Sequence, residues 1–182
     1  MQVSEPTTPG GNGDDLDPQD PDDIVGSIAS DTEALLLCAL LYASNEQTRK
    51  IATVIESADF YRPAYGELFA VARELAGAGR PHDAPMILAE LGRTGRLHTV
   101  EGETLRRALT DVTLVGAAPE AASGYADAVL GQAYRRSYRA AAESLLTAAE
   151  QLPEADLFDH LLTVGRAQRS AWNRLQAFRE RR

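Results

Sequence analysis

The sequence has one cysteine, one lysine and three histidines in 182 residues, and each scarcity removes a class of chemistry. With Cys38 alone there is no internal disulfide framework and no cysteine metal cluster, and the usage fits a reducing cytoplasm, the expected location. His82, His98 and His160 fall in no HExxH spacing and no CxxC occurs, so neither a metal nor a cofactor is expected. A phosphate-binding loop needs G-x-x-x-x-G-K-[ST], whose amides and lysine hold the phosphates. Lys50 is followed by Ile51 and preceded by no nearby glycine, so that loop cannot form in this chain. No G-x-S-x-G elbow occurs, and Cys38 sits in the most apolar stretch, where a desolvated thiol is inert. No catalytic residue is identified, and the chain is expected not to be an enzyme. The longest apolar run, 34–43, is too short to span a bilayer, and no basic leader opens the chain, so no membrane association is expected.

What is present is arginine and acid, unevenly placed. The formal charge is −9, and residues 1–30 carry seven acids with no lysine or arginine. Four prolines share that stretch with Gly10, Gly11, Gly13 and Gly26, leaving too little apolar surface to offset the entropy of ordering it. Residues 1–29 are therefore read as a disordered acidic tail, either a solubilising leader or a charged peptide for a basic partner.

From Ser30 onward the pattern is helical, and period-two alternation never persists. Ser30-Asp31-Thr32-Glu33 has the spacing of a capping box and opens a helix running to about Ala43. A second helix is expected over Gln47 to Glu56, a third from Pro63 to the stop at Gly77-Ala78-Gly79, a fourth from Asp83 to Gly92–Gly95, and a fifth through Leu105 and Leu109. Asp59 reads as a helix-end cap rather than half of a carboxylate pair with Glu56. Phe60 and Tyr61 read as core rather than as base-stacking platforms. Between Pro119 and Pro153 there is no proline, and about thirty residues of helix follow. After the break at Leu152-Pro153-Glu154, Leu157, Leu161, Val164, Gln168, Ala171, Leu175 and Phe178 step by four and three, a heptad seam with one polar interruption. So short a connection sets the two helices antiparallel. The expected fold is all-α: tail 1–29, compact helical head 30–118, antiparallel helical hairpin 119–182.

This order of elements, with Glu33 to Leu41, Ala58-Asp59-Phe60-Tyr61-Arg62-Pro63, Gly79-Arg80-Pro81-His82-Asp83, Gly95-Arg96-Leu97 before Val100 and Gly102, and Tyr125-Ala126-Asp127, resembles the N-terminal domain of DnaB-type replicative DNA helicases. The resemblance covers about 30–178. It departs at Glu101-Gly102, where the family often has paired glycines, and the RecA-like ATPase of those helicases has no counterpart here, so a stand-alone domain is expected. In the family this domain pairs through its hairpins, assembles as a ring of three such dimers and receives the primase. The resemblance thus implies a non-catalytic interaction module of bacterial DNA replication. A homodimer through the hairpin is expected, with a replicative helicase or primase as further partner.

Two sets of hairpin residues are candidates for contacts. Trp172, Leu175 and Phe178 near the end of the last helix, beside Tyr125 and Val129, form either a tight closing contact or an exposed patch that a second subunit covers; the patch is the reading adopted. From Arg135 onward nine arginines face six acids. Of these, Arg135, Arg139, Arg166 and Arg169 are candidate phosphate or partner contacts. The rival readings are therefore a nucleic-acid-binding helical protein using this arginine-rich hairpin, with nucleic acid as a secondary partner here, and a helical scaffold unrelated to replication.

Overall fold

A computed structural model describes residues 32–181. Within them are seven α-helices, three short 3-10 turns and no strand. The expected tail, and Ser30 of the expected capping box, lie outside the described residues. Glu33 does not look back along its own helix. It is fully buried, and its two oxygens accept the backbone amides of Tyr61 and Arg62.

Helix α1, residues 32–41, carries Leu36 to Leu41 all buried, the signature of a helix surrounded by others rather than laid on a surface. Helix α2 (Asn45–Ala52) is displaced toward the N-terminus from its expected span. Ser44 caps it by accepting the Gln47 amide at 3.2 Å, and leaving the helix at Thr53 lets Val54 and Ile55 both turn into the core. Helix α3 (Pro63–Gly77) begins at its proline as expected. It ends in a Schellman arrangement, with Gly79 at φ +70° and the amides of Gly79 and Arg80 donating to Ala76 and Leu75. Asp83 caps α4 (Ala84–Arg93) through the Met86 amide at 3.0 Å.

Gly102 is a glycine that close packing demands. Helix α5 (Val100–Leu114) presses its first turn onto the preceding 3-10 turn, and a Cβ on Gly102 would stand 2.5 Å from the Leu97 carbonyl oxygen. Glu101 beside it is exposed and under no such restriction.

The five helices of the head surround one apolar cluster in which Phe69 is fully buried and stacks on Phe60 at 5.2 Å between ring centroids. His82 serves the core too. Its Nε2 lies 3.0 Å from the Leu40 carbonyl, which can only accept, so Nε2 carries the proton; Thr48 Oγ1 lies 2.9 Å from the same nitrogen. Cys38, buried, accepts the Ala117 amide at 3.3 Å.

Helices α6 (Ala122–Gln151) and α7 (Glu154–Glu180) form the hairpin, turning at Leu152 and Pro153. Bonds pair Asp127 with Arg179, Ser137 with Gln168 and Ser144 with His160, an antiparallel register. The root of the hairpin belongs to the head's core: Ala122, Ala126, Val129 and Leu130 from α6 meet Leu175 and Phe178 from α7 within the same cluster.

Candidate functional site

Two arginines lock the hairpin to the head. Arg174 grips both oxygens of Asp59, with Nη1 to Oδ2 at 3.0 Å, and Asp59 Oδ2 also accepts the Glu56 amide at 2.8 Å. Asp59 is thus the expected cap and, in addition, the buried end of an ion pair. Arg136 donates to the Asp59 carbonyl, stands 3.9 Å from Glu33 and lies over the Tyr61 ring. Burial pushes the Glu33 carboxyl above its ordinary range, while the Tyr61 and Arg62 amides and the Arg136 charge pull the other way.

Beyond this lock the hairpin changes character. Between Gly131 and Arg174 only Ala148 is buried. Tyr138 is 54% exposed, Leu161 49%, Trp172 42% and Phe158 66%. Tyr134, Tyr138, Leu145, Leu161, Val164 and Trp172 line an open groove of about 720 Å³. Tyr134 organises it, packing on Trp172 at 5.6 Å and edge-on to Tyr138 at 5.1 Å. Its hydroxyl donates to that of Tyr138, which raises the Tyr134 phenol above its ordinary value. The polar interruption of the heptad seam has a function: Gln168 Nε2 donates to the Ser137 carbonyl at 2.9 Å and its Oε1 accepts from Ser137 Oγ, which fixes the register.

The expected contact residues separate accordingly. Val129, Leu175 and Phe178 are buried within one chain, so for these three the closing contact is the observed arrangement and the exposed patch is not. The physical reason is that the helix ends converge on the head, whose core absorbs them. Tyr125 is half-buried against the same cluster, and Trp172, farther from the root, keeps open surface. Arg135, Arg139, Arg166 and Arg169 are all exposed. Their neighbours Arg136 and Arg174, which share the same arginine-rich stretches, are the head locks; no sequence signal marks them, because Asp59 and Arg174 stand 115 positions apart. No group of side chains able to hold a metal occurs among the described residues. No helix there is long and apolar enough to cross a membrane.

Residues 27–130 match the family model described as DnaB-like helicase N terminal domain, more than half of the chain. The chain belongs to that family. The Replicative DNA helicase DnaB of Mycobacterium leprae (strain TN) is 39% identical over 79 residues, which cover 41% of this chain and 12% of that protein's length. The crystal structure of the N-terminal domain of DnaB helicase from Mycobacterium tuberculosis superposes with a TM-score of 0.66 at 24% identity, covering 76% of this chain and 95% of that one, an agreement of fold. The DnaB-like match stops at Leu130, where α6 leaves the head, so the groove and the exposed arginines lie beyond it.

Proposed function

We propose that this chain is a non-catalytic protein-interaction module of the replicative-helicase kind, with the head (30–118) as scaffold and the hairpin (119–182) as the contact arm. The observation that carries this reading is the apolar face of the distal hairpin, where Tyr138, Leu161 and Trp172 are exposed together along one groove. Aromatic anchors beside arginine are what protein interfaces concentrate at their centres. A second copy of the same face, packed antiparallel, offers the matching surface, giving a homodimer. The family membership supports a replicative helicase or primase as the further partner.

The test is sedimentation of the full chain with Tyr138→Ala and Trp172→Ala combined. The double variant is expected to shift from dimer to monomer with its helical circular dichroism kept. A wild-type chain that sediments as a monomer at micromolar concentration removes the self-association. Co-precipitation with a replicative helicase and with a primase then distinguishes a replication module from a helical scaffold put to other use.

A further inference from the structure

Gly165 is unexplained by the fold of one chain. It stands in the interior of α7, where glycine lowers helix stability relative to alanine, and a Cβ there would meet nothing within 4 Å. Such a glycine has a use where another backbone must come close. It lies in the aromatic groove beside Ala141 and Ala142 of α6, so the groove carries its smallest side chains at one point. Large ones stand on both sides of it: Tyr138 and Trp172 toward the root, Leu145 and Phe158 toward the tip. Phe158 and Trp172 are each seven residues from Gly165, which keeps the three within about 40° on one stripe of α7.

Charge changes sign about the same point. Residues 140–165 hold five acids and no lysine or arginine, whereas 128–142 and 160–179 hold no acid. Neither Arg169, which lines the groove, nor Asp159 has an ion pair among the described residues. A face that repeats its sizes and reverses its charge about one point is complementary to itself after a two-fold rotation. Laid parallel, two copies would set acid on acid.

We propose, resting on the self-association above, that two copies of α7 cross antiparallel at Gly165, with Trp172 of each copy on Phe158 of the other and Arg169 of each over Leu162 and Asp159 of the other. Within one helix Trp172 and Phe158 are about 21 Å apart, so only a second copy brings the two rings together. Arg169 is four residues from the crossing, on the flank where Leu162 and Asp159 stand three and six residues away in the opposite direction. Its aliphatic stem covers the leucine and its guanidinium reaches the carboxylate. The crossing thus selects a like copy by size at its centre and by charge at its flanks.

A disulfide across the crossing tests this. In the full chain with Gly165→Cys, the two thiols of a dimer meet on the two-fold axis within the Cβ separation of about 4 Å that a disulfide needs, and diamide is expected to link nearly all of the dimer. The wild-type chain, whose single cysteine is buried, and Thr163→Cys, on the opposite side of α7, are expected to stay unlinked. Arg169→Asp is expected to weaken the dimer about tenfold in sedimentation, and Asp159→Arg added to it to restore most of the loss. A dimer that diamide does not link at position 165, or links as readily at 163, overturns the crossing and leaves self-association standing. A wild-type chain that is monomeric at micromolar concentration removes both. If the added side chain at 165 itself separates the copies while Thr163→Cys does not, the close approach at Gly165 is supported by that result, and the exchange of charge decides the register: absence of recovery in the Arg169→Asp, Asp159→Arg chain overturns it.

Discussion

The head and the distal hairpin are both helical, yet they are stable for different reasons. In the head, apolar residues converge from five helices, and the buried polar groups Glu33, Thr48, Asp59 and His82 each have a bonded partner. In the distal hairpin two helices face each other alone, and a pair of helices has too little interior to bury its own seam. The head therefore completes itself, whereas the hairpin leaves its aromatic groove open. The root, where Val129, Leu175 and Phe178 join the head's cluster, is the boundary between the two regimes.

The largest effect that would break this contrast is a cavity in the head. Phe69→Ala is expected to cost about 3–5 kcal/mol, the usual range for emptying a fully buried aromatic site, and to lower the urea midpoint of the whole chain. A second, smaller transition from the distal hairpin melting separately would show that the root does not couple the two regions.

Next is the lock. Asp59→Ala is expected to cost about 2–3 kcal/mol, since it leaves Arg174 only the 3.6 Å contact with the exposed Glu56 carboxylate and removes the cap on the Glu56 amide; partial exposure of Arg174 keeps the figure below that of a fully buried pair. A double-mutant cycle with Arg174→Ala should return a favourable coupling. Additivity would mean the contact is incidental.

In the distal hairpin the same kind of truncation should hardly register. Trp172→Ala is expected to change the stability of the monomer by less than about 1 kcal/mol, the range for a half-exposed side chain, while weakening self-association measurably in sedimentation.

The smallest effect is with pH. Glu90, held between Arg93 and Arg80, has its carboxyl lowered to about 2, chiefly by the Arg93 hydrogen bond. Its contribution is complete above pH 4.5 and fades as the pH falls toward about 2. Glu33 works in the opposite sense: burial raises it above 4.5, so acid relieves rather than creates a cost. Urea unfolding at stepped pH should show a shallower acid loss in Glu90→Gln than in the wild type.

Legibility in the sequence followed the same division. Helix starts and stops set by local chemistry, such as Pro63, Gly79 and Asp83, were readable because each acts on its own neighbours. The hairpin was readable from its period and its single proline break. What could not be read depends on residues brought together by folding: the Asp59–Arg174 lock, the His82 bridge from Leu40 to Thr48, and Glu33 turned toward Tyr61. For Trp172, Leu175 and Phe178 the sequence leaves a closing contact and an exposed patch both open, because what covers the end of α7 is the head, whose core residues lie far away along the chain; Leu175 and Phe178 are buried there and Trp172 is half-exposed.

The 115-residue separation of Asp59 and Arg174 also orders events during synthesis. Translation emits the head first, and domains fold as they emerge. When α3 and the turn before it are already outside the ribosome, the carboxylate of Asp59 has no guanidinium to meet, and it gains one only after Arg174 has been made. A nascent chain thus holds an unpaired charge at the future seat of α7, which disfavours early closure by any other apolar segment. The last helix brings the guanidinium that completes a carboxylate already accepting the Glu56 amide.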